Sequence, residues 1–192
     1  MVTVSDDDRA RSIREKLRRA ASGSFRPFGS EAHQFQLLPP VAEPELQAFE
    51  LQHAITLPGE YRTFLAAVSR GGAGPAYGLI PFGDPRALAD PSRADFLRTP
   101  FAFSDAAGGG EPWADVDGYT ETLRAGTLAL CHEGCGYMHF LVCTGPTRGE
   151  MWIDGAVSDG GFLPLRCGFM DWYERWLDDV VAGGDGTWWL AG

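Results

Sequence analysis

The chain has 192 residues, of which 44% are hydrophobic, and its 25 glycines and 13 prolines indicate many turns between short elements. This composition excludes a long coiled coil, and the lack of any apolar run of about 18 residues excludes a membrane-spanning helix. The formal net charge of −10 argues against nucleic-acid binding, which depends on basic contacts to phosphate, and is typical either of a protein with a basic partner or of an acidic, soluble surface.

Three amphipathic helices are predicted in the first part of the chain. The first spans about Asp6 to Ala21, with its apolar residues along one stripe. The second spans Val41 to His53, where Pro44 suits a first helical turn. The third begins at Pro58 and ends before Gly71.

The glycine-rich stretch from Gly71 to Phe82 is predicted to be a structural turn. Glycines can let backbone amides converge on a phosphate, but a dinucleotide-binding fingerprint needs a preceding strand and a following helix. Here a helix precedes the glycines and a short apolar strand follows them. The next segment, from Asp84 to Gly118, has no clear periodicity and is predicted to be a long irregular connection, where binding residues often lie.

Strands are predicted at Thr127 to His132, Tyr137 to Thr144 and Glu150 to Asp154, with a hairpin turn at Glu133 to Gly136. The closing helix, Phe169 to Val181, has a continuous apolar stripe that must pack on a flat apolar surface. The sequence therefore predicts an α+β domain, with a mostly antiparallel sheet and helices packed mainly on one face.

The expected compartment follows from the first residues and from the cysteines. Met1 to Ala10 include three aspartates and lack the basic and then apolar order of a secretory signal, so we expect a cytoplasmic protein. In that compartment cysteines are expected to be reduced thiols and not disulfides. The chain has four, at positions 131, 135, 143 and 167.

Several short motifs follow one another in a recognisable order. Residues 57–65 read Leu-Pro-Gly-Glu-Tyr-Arg-Thr-Phe-Leu, and residues 71–81 contain Gly-Gly, Gly-Pro, Tyr-Gly-Leu and Pro. A hairpin with Gly-Cys-Gly at its turn occupies residues 126–142, a Gly-Glu-Met-Trp-Ile-Asp strand follows at 149–154, and an aromatic helix closes the series at 169–177. Together these motifs resemble the SUKH superfamily, in its Smi/Knr branch.

The resemblance covers roughly Leu38 to Asp179, and it implies a mixed sheet and a non-catalytic role in binding proteins. Many bacterial members are immunity proteins that neutralise toxins by direct binding, while fungal relatives help to organise cell-wall signalling. The resemblance divides the chain into an N-terminal helical extension at 1–23, a SUKH-like domain at 24–182 and a glycine-rich tail at 183–192 that carries the Trp188–Trp189 pair. It implies a toxin domain as the partner, and the acidic charge of the chain favours a basic one. No cofactor is expected, and the oligomeric state stays open.

Two other functions remain open from the sequence. One is a scaffold or regulatory protein without a toxin partner. The other is a small enzyme or zinc-binding protein that uses Cys131, Cys135 and His139, since thiolate and imidazole are preferred zinc ligands. A zinc site usually combines two close pairs of ligands, and Cys131 with Cys135 is the only plausible first pair. Cys135 with His139 could form a nucleophilic pair, but nothing in the sequence supplies a third group to orient it. We therefore predict no catalytic, cofactor or metal site.

A partner-binding surface is expected to combine acids, which steer a basic partner, with aromatic anchors. Within the irregular connection, Trp113, Asp115, Asp117 and Tyr119 fit that description best. They are the candidate partner-binding residues, although an ordinary acidic loop with one tryptophan has the same composition.

Overall fold

The computed structural model describes residues 6–105, 122–158 and 160–188. Helix α1 spans Asp6–Ser22, α2 spans Glu43–His53 and α3 spans Gly59–Ala67. All three predicted helices are confirmed, with ends that differ by two residues or fewer except at the end of α3, where the helix stops at Ala67 and does not continue to Gly71. As predicted, proline stands in the first turn of α2.

Four strands form one sheet in the order β1-β2-β3-β4, with every pairing antiparallel. Strand β1 spans Thr127–Gly134, β2 spans Tyr137–Val142, β3 spans Glu150–Asp154 and β4 spans Phe162–Gly168. The resemblance implied a mixed sheet, but the connections between these consecutive strands are short, and parallel neighbours need a crossover of a dozen or more residues. The α+β class is confirmed.

Helix α4, Phe169–Val181, has the predicted bounds and lies against the sheet. Its apolar stripe is buried, with Trp172, Tyr173 and Leu177 each 0% exposed. The backbone amide of Met170 donates a 3.0 Å hydrogen bond to the Glu60 carboxylate. An acid from α3 therefore satisfies an N-terminal amide of α4 and complements the positive end of the helix dipole.

Helix α1 completes the helical layer by packing on α4. Its Ile13 and Leu17 belong to the same hydrophobic core as α4. Arg14 of α1 donates hydrogen bonds of 2.7 and 3.1 Å to the carbonyl oxygens of Ala67 and Val68, which terminate α3. Helices α1 and α4 thus share one hydrophobic core. The Arg14 side chain satisfies carbonyl groups at the C-terminal end of α3.

The glycine-rich segment lies beside β1 and extends the sheet by isolated bridges. Leu79 bridges to Cys131, and the amide of Ile80 donates a 2.8 Å hydrogen bond to the Leu130 carbonyl. Gly72 has φ +99°, and a Cβ built there would lie 2.5 Å from the Gln36 carbonyl oxygen. The segment is a structural turn, as predicted, and its glycines let neighbouring backbones approach closely.

The opposite face of the sheet is covered by the chain around residues 101–103. Phe101 packs edge to face on Trp152, with ring centroids 5.1 Å apart, and its amide donates a 2.8 Å hydrogen bond to the Thr144 carbonyl. This second apolar cluster contains five buried residues: Phe101, Phe140, Val142, Trp152 and Phe162. Both faces of the sheet are therefore buried, with the helices on one of them.

Part of the tail returns to the body of the domain. Trp188 packs against the main core, and the Arg175 guanidinium lies 5.0 Å from its ring centroid. Trp189, the other tryptophan of the pair, lies outside the described residues. None of the helices in the described residues is both long and apolar enough to cross a membrane.

Candidate functional site

The four candidate partner-binding residues, Trp113, Asp115, Asp117 and Tyr119, lie outside the described residues. Their role therefore stays a prediction. Two other regions carry enough detail to be assessed as sites. They are the interior of the β1–β2 hairpin, where the Cys and His residues of the sequence lie, and the exposed end of the same hairpin.

Cys131 lies in β1, on the side of the sheet that faces the helices. Its side chain is fully buried, and its thiol donates a 3.0 Å hydrogen bond to the Pro75 carbonyl oxygen. Burial, reinforced by the nearby Glu133 carboxylate, raises the pKa of this thiol well above its usual value. Cys131 is therefore protonated, and a protonated thiol is neither a good nucleophile nor a good metal ligand.

His139 is the partner of Cys131 in the β1–β2 ladder and is 0% exposed. The indole nitrogen of Trp172, in α4, donates a 2.9 Å hydrogen bond to His139 Nδ1. Because an indole nitrogen can only donate, the imidazole proton must be on Nε2. Burial lowers the pKa of His139 to about 3, so the ring is neutral at physiological pH.

Glu133, near the end of β1, is the third member of this group. Its Oε1 atom lies 3.7 Å from Cys131 Sγ and 3.7 Å from His139 Nε2, and its side chain is only 13% exposed. Burial raises the pKa of Glu133 to about 7, which places its titration near neutral pH. We call Cys131, Glu133 and His139 the hairpin cluster.

The other residues of the predicted zinc or nucleophile region do not join the hairpin cluster. Cys135 is exposed at the hairpin turn with φ +51°, whereas His139 is buried against α4, so these two residues do not form a nucleophilic pair. Cys143 is buried beyond the end of β2, and burial raises the pKa of its thiol to about 12. In the part of the chain that the structure describes, no three His, Cys, Asp or Glu side chains are grouped to hold a metal ion.

The arrangement of the hairpin cluster serves packing. The thiol is protonated, the imidazole is neutral and its Nδ1 is occupied by the Trp172 indole. A nucleophile would need a thiolate beside a base that is free to accept its proton, and neither condition is met. The hydrogen bond from Trp172 to His139 connects α4 to the centre of the sheet.

The turn of the β1–β2 hairpin is surrounded by exposed apolar side chains. Phe28 is 62% exposed and Tyr77 is 44% exposed, and their rings meet edge to face with centroids 5.3 Å apart. The Tyr77 ring centroid lies 6.1 Å from that of the exposed His132. Val157, which is 53% exposed, lies against Gly136 of the same turn. We call Phe28, Tyr77, His132 and Val157 the hairpin-end surface.

A glycine positions the two loops that carry the aromatic part of this surface. Gly29 has φ +77°, and a Cβ built there would lie 2.5 Å from the Ala76 carbonyl carbon. The loop that carries Tyr77 therefore packs directly on the backbone next to Phe28. Backbone packing, and not only the contact between the two rings, holds Phe28 and Tyr77 side by side.

Replacing Gly29 by Ala is expected to lower the free energy of unfolding by about 2 to 3 kcal/mol, since the new methyl group clashes with backbone and the left-handed conformation disfavours an L side chain. Urea unfolding measures the loss. Gly83→Ala is the matched control, because Gly83 has φ +83° but nothing within 4 Å of the added Cβ. We expect it to lose only about 1 kcal/mol, and equal losses in the two variants would contradict the close packing at Gly29.

Sequence reasoning did not identify the hairpin-end surface. Phe28 lies in a loop rich in Pro and Phe, and Tyr77 lies inside the glycine-rich turn. The available signal was the presence of aromatic residues in turns, where side chains tend to stay exposed. Which of the turns meet in space is a property of the fold and cannot be read from residue spacing.

Comparisons with known proteins give no further assignment. No protein-family model, curated protein or solved structure matches this chain. The likeness to the SUKH superfamily therefore stays a prediction that rests on the short motifs and their order.

Proposed function

We propose that this chain is a non-catalytic protein-binding domain, an immunity protein that neutralises a basic toxin by direct contact through the hairpin-end surface. The observation that carries the proposal is the pair of exposed rings, Phe28 and Tyr77, held in contact beside His132. Aromatic side chains dominate the energy of protein interfaces. A surface that is already held in place loses little conformational entropy on binding.

The charge of the chain supports a basic partner. The net charge is −10, while Phe28, Tyr77 and Val157 carry no charge. An acidic protein attracts a basic domain over a long range and speeds its encounter, and an apolar surface then provides short-range contact energy. The resemblance to SUKH immunity proteins supports a toxin as that basic domain.

The environment of the thiols supports a non-catalytic role. Cys131, Cys143 and Cys167 are buried, and burial raises the pKa of each thiol. Catalytic cysteines need an accessible thiolate, which these surroundings disfavour. Cys135 is exposed but lies in the hairpin turn, apart from the buried imidazole of His139.

Co-expression with a candidate toxin domain tests the immunity function. A suitable candidate is the variable C-terminal domain of any large secreted protein that sequencing of the neighbouring genes identifies. We expect that domain to stop growth when it is expressed alone and growth to resume when this chain is co-expressed. Continued growth arrest, with both proteins present and folded, would contradict the immunity function.

The hairpin-end surface is tested by Tyr77→Ser and Phe28→Ser. Each is expected to weaken binding of the toxin domain at least about tenfold, because truncating a central aromatic residue of an interface commonly costs about 2 kcal/mol. Isothermal titration calorimetry measures the affinity. Leu51→Ser is the matched control, since Leu51 is an apolar residue on α2 that is 83% exposed. If rescue occurs but these variants bind like the parent, the toxin is bound by another surface.

A further inference from the structure

A cavity of about 400 Å³ lies between α2 and the segment from Phe82 to Pro91. Its walls include an aromatic row in which the Phe49 ring centroid is 4.4 Å from that of His53 and 4.6 Å from that of Phe82. Tyr61 and the buried Leu128 also line it. The cavity shares no residue with the hairpin-end surface.

Tyr61, which lines this cavity, carries a hydroxyl group. The residue is only 4% exposed, and its ring is held by an edge-to-face contact with Phe169 at a centroid distance of 4.9 Å. Its hydroxyl makes no hydrogen bond to any residue that the structure describes. A hydroxyl that donates to no protein acceptor can donate a hydrogen bond to a ligand.

The two acids that line the cavity each form an ion pair with an arginine. Glu45 forms a 2.7 Å ion pair with Arg70, and Asp84 forms a 2.7 Å ion pair with Arg86. Burial lowers the pKa of His53, so this ring is neutral at physiological pH. A charged ligand would lose hydration in this cavity without meeting an unpaired opposite charge.

We propose that this cavity binds a small, neutral, flat aromatic molecule that carries a hydrogen-bond acceptor for the Tyr61 hydroxyl. The aromatic walls favour a flat ring, which can stack on or meet Phe49 and Phe82 edge to face. The volume is within the range of small-molecule sites, which are mostly apolar with a few placed polar groups. This site is separate from the proposed protein-binding function, and each can fail without the other.

Three probes of similar size test the preference for a neutral ligand. They are benzamide, which is neutral, benzoate, which is an anion, and benzylamine, which is a cation at neutral pH. We expect benzamide to shift the backbone amide signals of α2 and of residues 82–91 in heteronuclear NMR, with millimolar affinity. The two ions are expected to bind at least about tenfold more weakly. Failure of benzamide to shift these signals, or equal binding of all three probes, would overturn the proposal.

Variants separate a ligand site from a packing defect. Tyr61→Phe removes only the hydroxyl, and we expect about tenfold weaker benzamide binding without a loss of thermal stability, because the hydroxyl has no partner. Ala48→Phe, at an exposed position of α2 that lines the cavity, is expected to fill it and abolish binding. Ala66→Phe makes the same change at an exposed position of α3 that does not line the cavity, and it should bind like the parent. Unchanged benzamide binding by Tyr61→Phe would contradict the role of its hydroxyl.

Discussion

Replacing Trp172 by Phe is expected to lower the free energy of unfolding by about 3 to 4 kcal/mol. The indole of Trp172 is 0% exposed and donates the 2.9 Å hydrogen bond to His139 Nδ1. The variant loses buried volume and also leaves the imidazole acceptor without its donor in the interior, and both losses destabilise the folded state. Urea unfolding followed by far-ultraviolet circular dichroism measures the change.

Trp176→Phe is the matched control for this prediction. Trp176 lies one turn further along α4 and is 1% exposed, but its indole nitrogen donates no hydrogen bond to any described residue. Trp176→Phe should therefore lose packing energy but no hydrogen bond. We expect its free energy of unfolding to fall by about 1 to 2 kcal/mol less than that of Trp172→Phe. If the two variants were equally destabilised, the hydrogen bond to His139 would contribute nothing measurable.

The helices could be predicted closely because each has a local signal. The apolar stripe of α4 continues over its whole length, and glycine precedes the first helical residue. Strand β4 was missed because its pattern is weak. Pro164 lies inside it, Leu163 is 41% exposed, and its pairing with β3 is irregular. A proline is tolerated there because β4 is an edge strand of the four-stranded sheet, and that position depends on the tertiary structure.

The hairpin cluster was only partly predictable. Strand alternation places His139 and Leu141 on one face of β2, but the hydrogen bond to His139 comes from a residue 33 positions further along the chain. Glu133 was assigned to the turn. In the structure the ladder is irregular between His132 and Gly134, and the Glu133 side chain is mostly buried. A bulge of this kind redirects a side chain, and periodicity does not predict it.

Replacing Glu133 by Gln is expected to stabilise the protein above pH 7 and to have little effect near pH 5. Burial raises the pKa of Glu133 in the folded state to about 7, from a usual 4.5. The folded state therefore holds a proton that the unfolded state releases, and its stability falls as the pH rises from 4.5 to 7. Since one pKa unit corresponds to ~1.4 kcal/mol, the gain at pH 8 is at most about 3 kcal/mol. Thermal unfolding at pH 5 and pH 8 measures it.

The titration of His139 changes stability with pH in the direction opposite to that of Glu133, which gives Glu133→Gln a distinctive pH profile of stability. Its pKa is lowered from 6.5 to about 3, so acidification below pH 6.5 protonates the unfolded state first and destabilises the fold. In the parent chain the two effects oppose each other between about pH 4.5 and 6.5. In Glu133→Gln only the effect of His139 remains, so the variant should lose stability with falling pH more steeply than the parent. Glu15→Gln, at an exposed position of α1, is the control. If the stability of Glu133→Gln depended on pH in the same way as that of Glu15→Gln, Glu133 would be hydrated in the folded protein.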